Sequence, residues 1–290
     1  MLSQEFFRNA LLAGTFVALA CGVSGWFVVL RGQVFAGDAL SHVAFPGALA
    51  AAAAGIDERI GLFVATIAVG ALIGALGRSA LARGAAGSSS TDDTTIGTAF
   101  TFILGLGVFF MARISMSSAG GSGVVGAHAL FGSIFGLGAS EARLAAAIGL
   151  GVTLLSVVIA RPLLFASLAP DVAAARGVPT RLLEIGFVAL LGVVAAEATQ
   201  AVGALLLLGL LAAPAAAAHR LTSSPFAGIA LAGTLALAAM WGGLALAYAV
   251  PSLPPSTAII AIAVAIYCAA GPLVALLGGS GRLGSGRPHR

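Results

Sequence analysis

Apolar residues run through this chain in long blocks separated by short polar clusters. Crossing hydrocarbon as a helix takes about 20 mostly apolar residues, because every backbone polar group must be satisfied within the segment. On that basis nine spans are predicted, at roughly 10–30, 34–56, 60–77, 95–112, 144–164, 182–199, 201–219, 226–250 and 257–278; the pattern allows eight to ten. The last two come from 61 uncharged residues, Leu221 to Gly281, cut only by the proline cluster Pro251-Ser-Leu-Pro-Pro-Ser256. Between Arg113 and Glu141 the chain is apolar but glycine-rich, which fits a re-entrant or surface-lying helix better than a span. The predicted fold class is all-α, a polytopic helical membrane protein. It has one transmembrane domain over 1–280 and a flexible basic tail at 281–290.

Composition closes off the alternatives. Only 8% of the 290 residues are charged and 60% are apolar, against about 25% charged in a globular domain. A soluble fold would lack polar surface, and with a mean hydropathy of +1.10 disorder is excluded too. All 14 basic residues are arginine. The absence of lysine removes any phosphate-binding loop of the Gly-Lys type, so nucleotide hydrolysis would fall to another subunit, and the small net charge of +4 argues against nucleic acid. With the N-terminus outside and the C-terminus inside, ten arginines lie on the inner side and four (Arg8, Arg59, Arg113, Arg143) on the outer, the bias expected of cytoplasmic loops. The run from Ala10 to Leu30 is 21 residues long, which reads as a span and not as a signal peptide. Cys21 and Cys268 sit inside uncharged runs and read as small core residues.

In such a chain an ionisable group inside a span is a functional-site hypothesis. The clearest is Asp38 with His42, in Gly37-Asp-Ala-Leu-Ser-His42. A spacing of four puts both side chains on one helix face, within reach of one ion. Carboxylate plus imidazole suits zinc, manganese or ferrous iron; the lack of sulfur argues against copper(I) and the histidine against calcium. The alternative is that Asp38 caps the second helix and His42 is a satisfied core histidine. Pro46 would kink that helix and free a carbonyl. His128, in the glycine-rich segment, is a candidate gate residue or a solvated loop histidine. Glu197, with Gln200 at the outer end of the sixth span, is a second candidate gate, although a helix-end carboxylate commonly snorkels to water. His219 and Arg220 end the seventh span, where cations favour a helix C-terminus.

The stretch from Ser167 to Pro179 differs in kind. Pro170 at a helix start, Asp171 in the first turn, three alanines, then Arg176 and Gly177 signal a helix of about two turns outside the membrane. It reads as a docking element for a cytoplasmic partner, or as an ordinary capped loop.

The order of motifs resembles the zinc/manganese/iron ABC importer permease family. Gly37-Asp-Ala-Leu-Ser-His42 with Phe45-Pro-Gly47 comes first, then Asp93-Thr-Thr-Ile-Gly97 and Leu130-Phe-Gly-Ser-Ile134. The Pro170–Gly177 segment and the run from Ala201 to Ala213-Pro-Ala215 complete it. The likeness covers about residues 8–278. It implies a multi-pass permease of the bacterial plasma membrane that is not itself an enzyme and holds no permanent cofactor. Two copies would form a homodimer, bind a cytoplasmic ATPase dimer that uses ATP, and receive a divalent metal from an extracytoplasmic solute-binding protein. The resemblance places Asp38 and His42 on the metal path. It makes the loop at about 165–181 the coupling loop, with Pro170, Asp171, Arg176 and Gly177 at the ATPase. The family usually has an acidic residue just before the coupling helix, where this chain has Ala169 and carries Asp171 two positions on. An ABC permease for a metal chelate or siderophore and a proton-coupled secondary metal transporter are the competing readings.

Overall fold

In a computed structural model, residues 4–81, 101–113, 132, 134–204 and 207–279 are described. They are helical apart from connecting turns. In chain order the helices are α1 (Glu5–Leu30), α2 (Val34–Ala53), α3 (Glu58–Leu81), α4 (Thr101–Arg113), α5 (Ala139–Val158), α6 (Ala160–Leu168), α7 (Pro170–Ala175), α8 (Thr180–Val202), α9 (Leu207–Leu221), α10 (Pro225–Ala249) and α11 (Pro255–Gly279), with a short 3-10 turn at Ile134–Gly136. Among the described residues seven helices are long and apolar enough to cross a membrane, and α4 and α9 are shorter apolar helices. These nine coincide with the nine apolar runs of the sequence.

Boundaries shift where proline and glycine intervene. The run expected at 144–164 begins five residues earlier and breaks at Ile159, dividing α5 from α6. Pro162 explains the break: it has no N–H for the carbonyl of Val158, and its ring crowds that carbonyl. α8 ends where Gly203 takes φ +97°, and the chain is helical again in α9.

α1 is the hub, packed on α5, α9 and α10, while α2, α3 and α8 form a second layer joined to it. Phe27, Leu40, Phe187, Leu211 and Met240 lie fully buried at their junction. With lipid on the outside, helices associate through close packing of small residues. Gly25 shows the reason: a Cβ there would run into the backbone carbonyl of Leu211 on α9.

The contacts sort helix ends into two faces. On one, Arg31 after α1 meets Ser167 of α6 and Glu184 of α8, and His219 of α9 binds the Trp26 carbonyl at 3.0 Å. On the other, Arg59 at the start of α3 meets Glu197 near the end of α8, and Asn9 reaches the Leu137 carbonyl. The arginine count of the sequence predicts the first face to be the cytoplasmic one, and it is called inner below.

Candidate functional site

α2 begins at Val34 with Gln33 before it, so Asp38 stands in the second turn and is not a cap. The helical spacing brings His42 Nε2 to 3.9 Å from Asp38 Oδ1. Their neighbours Gly37, Ala39, Leu40 and Ser41 are buried, whereas the Asp38 side chain is 31% exposed and that of His42 16%. The pair thus borders open space instead of packed core. The Ser41 hydroxyl donates to the Asp38 carbonyl at 2.7 Å, leaving the Asp38 carboxylate oxygens to the face of His42. Among the described residues no group of three or more His, Cys, Asp or Glu side chains gathers around an ion-sized space. Among the described residues the pair therefore offers two ligands, and further ligands would come from water or from groups beyond these residues.

A second polar cluster lies toward the outer ends of α2 and α8. Ala44 and Ala48 of α2 pack with Leu62 of α3 and Ala196 of α8, which sets Glu197 just outward of His42. The sequence favoured a carboxylate snorkelling to water; instead Glu197 is only 4% exposed and accepts from Arg59 Nη2 at 3.3 Å. Burial is possible because α3 starts beside α8 and delivers Arg59, whose own N–H is held by Asp57 Oδ1 at 2.8 Å. The second Glu197 oxygen, Arg59 Nε, Thr199 Oγ1 and Gln200 Nε2 are buried without hydrogen-bond partners among the described residues. Above them opens an outer cleft of about 960 Å³, bordered by Asp57, Arg59, Glu141, Thr199 and Gln200. Arg59 entered the sequence reading only as an outer charge. Its signal was a cation directly after an acidic pair at a span boundary. His128 and the Asp93–Gly97 motif lie outside the described residues.

On the inner face α7 spans six residues, a little shorter than the two turns expected. The N–H of Gly177 bonds to the Ala174 carbonyl and that of Val178 to the Ala173 carbonyl, each at 3.0 Å. That is a Schellman closure, and its left-handed position, Gly177 at φ +80°, suits glycine. Ala173 is buried and seats the helix; Pro170, Asp171, Val172, Arg176 and Gly177 face outward. Val172 is 52% and nearby Leu182 69% exposed, an apolar centre with charged flanks. A groove of about 550 Å³ runs beside it between Ala174 and Ile185. His219 stacks on Trp26 with ring centroids 4.7 Å apart, and Arg220 lies over Tyr267 and bonds its hydroxyl. Both act in packing.

A multi-span helical bundle with a carboxylate and an imidazole paired inside one span and an exposed short helix between two others fits a membrane permease. The chain belongs to the ABC 3 transport family, whose profile matches residues 3–272, and it is a multi-pass permease subunit of the bacterial plasma membrane. It is similar to the manganese transport system membrane protein MntC of Halalkalibacterium halodurans, 31% identical over 83% of this chain and 76% of that one. It is also similar to the chelated iron transport system membrane protein YfeD of Yersinia pestis, 28% identical over 73% and 67%. Among solved structures, PsaBC from Streptococcus pneumoniae in complex with Fab superposes with a TM-score of 0.78 at 27% identity, covering 92% of this chain and 91% of that one.

Proposed function

We propose that this permease subunit carries a divalent metal ion inward across the plasma membrane, with Asp38 and His42 as ligands along its path. The observation that carries this reading is the partly exposed carboxylate and imidazole 3.9 Å apart in the inner half of an apolar helix. Such a placement is costly unless it serves transport. The manganese and chelated-iron relatives support the manganese and iron end of the palette that these ligands suit. Two copies work as a pair, and α7, with Pro170, Asp171, Arg176 and Gly177, seats in a cytoplasmic ATPase dimer that supplies the ATP step. An extracytoplasmic metal-binding protein delivers the ion at the outer cleft.

The Arg59–Glu197 pair is the outer gate: a buried ion pair closes the space just outside His42, and opening requires it to part. The ATPases switch the permease between outward-open and inward-open states. Pumping requires that these two states bind the metal with different affinity, since a ligand bound equally by both shifts nothing. The test is uptake of radioactive manganese by vesicles reconstituted with the permease and its ATPase, comparing wild type with Asp38→Ala and His42→Ala. ATP-driven uptake should collapse in both variants. Normal uptake in both refutes the site.

A further inference from the structure

From the joint around Arg31 we infer that its guanidinium is the positioning latch that ties the α7 loop to the α1–α2 turn, and through that turn to Asp38 and His42. This rests on the reading of α7 as the ATPase contact and of the α2 pair as metal ligands.

Three elements converge on one side chain. Arg31 Nη2 lies 3.6 Å from Glu184 Oε1, Nη1 donates to Ser167 Oγ at 3.4 Å, and the guanidinium carbon stands 5.5 Å from the centre of the Phe187 ring. Ser167 is in the last turn of α6 and Glu184 in the first turns of α8, so Arg31 grips the chain on both sides of α7. The side chains of Arg31 and Glu184 are only 12% and 18% exposed, which separates the contact from solvent-screened surface pairs. Burial pushes the Arg31 guanidinium below its ordinary pKa and Glu184 opposes this; arginine remains a cation throughout.

Both ends of the joint are stiff. Gly32, at φ +65°, bonds its N–H to the Val29 carbonyl at 3.1 Å, and the N–H of Gln33 bonds to that of Val28 at 2.9 Å, a Schellman closure of α1. α2 starts at the next residue, Val34, and Asp38 lies about 6 Å along it at the helical rise. On the other side Ala169 N–H bonds to Phe165 and Ala173 N–H to Ala169, so α6 leads into α7 through bonded backbone. A displacement of α7 therefore moves Ser167 and Glu184, and with them Arg31 and the base of α2. Among the described residues the turn also holds a buried acceptor without a hydrogen-bond partner, Gln33 Oε1.

The experiment uses the full permease–ATPase complex in vesicles, reading manganese uptake and ATP hydrolysis together, with equilibrium manganese binding and thermal stability measured in detergent. Arg31→Gln should lower uptake by about tenfold or more while basal hydrolysis stays within about twofold. Metal binding should be unchanged and the loss of stability from leaving Glu184 without Arg31 should fall well short of the loss of uptake, so that ATP spent per ion rises. Reversing the pair, Arg31→Glu with Glu184→Arg, should recover much of the uptake. Wild-type uptake in Arg31→Gln overturns the proposal. So does a proportional fall of uptake, hydrolysis and stability without recovery on reversal, which marks a merely structural residue. Asp38→Ala run in parallel separates the two readings: manganese binding retained there defeats the metal pair, whereas binding lost there and retained in Arg31→Gln leaves the latch to be judged on coupling alone.

Discussion

Arg59→Gln, Glu197→Gln and their double variant form a cycle whose outcome the outer-gate geometry fixes in order. At 3.3 Å and an effective dielectric of about 20, the pair attracts with about 5 kcal/mol, a gross figure set against the cost of desolvating both ions. The two single variants are unequal because the partners are unequally sheltered. Losing Arg59 strands a carboxylate that is 4% exposed, whereas losing Glu197 leaves a guanidinium whose side chain is 20% exposed at the edge of the outer cleft. A stranded buried charge costs about 3–5 kcal/mol, so Arg59→Gln should lose about that much. Glu197→Gln should lose about 1 kcal/mol, since Arg59 can turn to water. With both charges gone, the double variant should recover most of the stability lost in Arg59→Gln. Reversible unfolding in mixed micelles at neutral pH, fitted for each variant and combined as a double-mutant cycle, measures all three. Equal losses in the two single variants, or a double variant as unstable as their sum, would refute the buried-pair account.

Further expectations concern the α2 pair and two glycines. Imidazole is a metal ligand that an amide replaces poorly, so His42→Gln should weaken manganese binding by the complex in detergent; wild-type binding contradicts a ligand role for His42. Gly177→Val forces a β-branched residue to φ +80°, at a cost of about 1–2 kcal/mol. It should loosen α7 and reduce ATPase association in pull-down from detergent, with metal binding intact. Gly25→Val drives side-chain atoms into the Leu211 backbone and should destabilise the bundle by about 1–3 kcal/mol, read as a lower unfolding midpoint in detergent and less folded protein in membranes.

The legible parts of this protein are those in which short sequence carries its own physics. About twenty apolar residues in succession leave the backbone one way to satisfy its hydrogen bonds in lipid, so the places of the apolar helices could be read to within a few residues. Asp38 and His42, four apart in a helix, had to share a face, and the 3.9 Å between them adds a distance to a known relation. Proline at the start of α7 and glycine after it set that helix without help from the rest of the chain.

Relations between distant segments were a different matter. Glu197 read as a helix-end carboxylate bound for water because nothing nearby in sequence could hold it; its partner is 138 residues away. Arg31 was one inner charge among ten, until the ends of α6 and α8 closed around it. What the sequence determined alone was membrane residence, the approximate places of the apolar helices and the local geometry of the α2 pair, since these follow from period, length and capping. What only the tertiary structure decided was which charges are buried together: electrostatic pairing depends on distance in space, and helix packing sets that distance where chain separation does not.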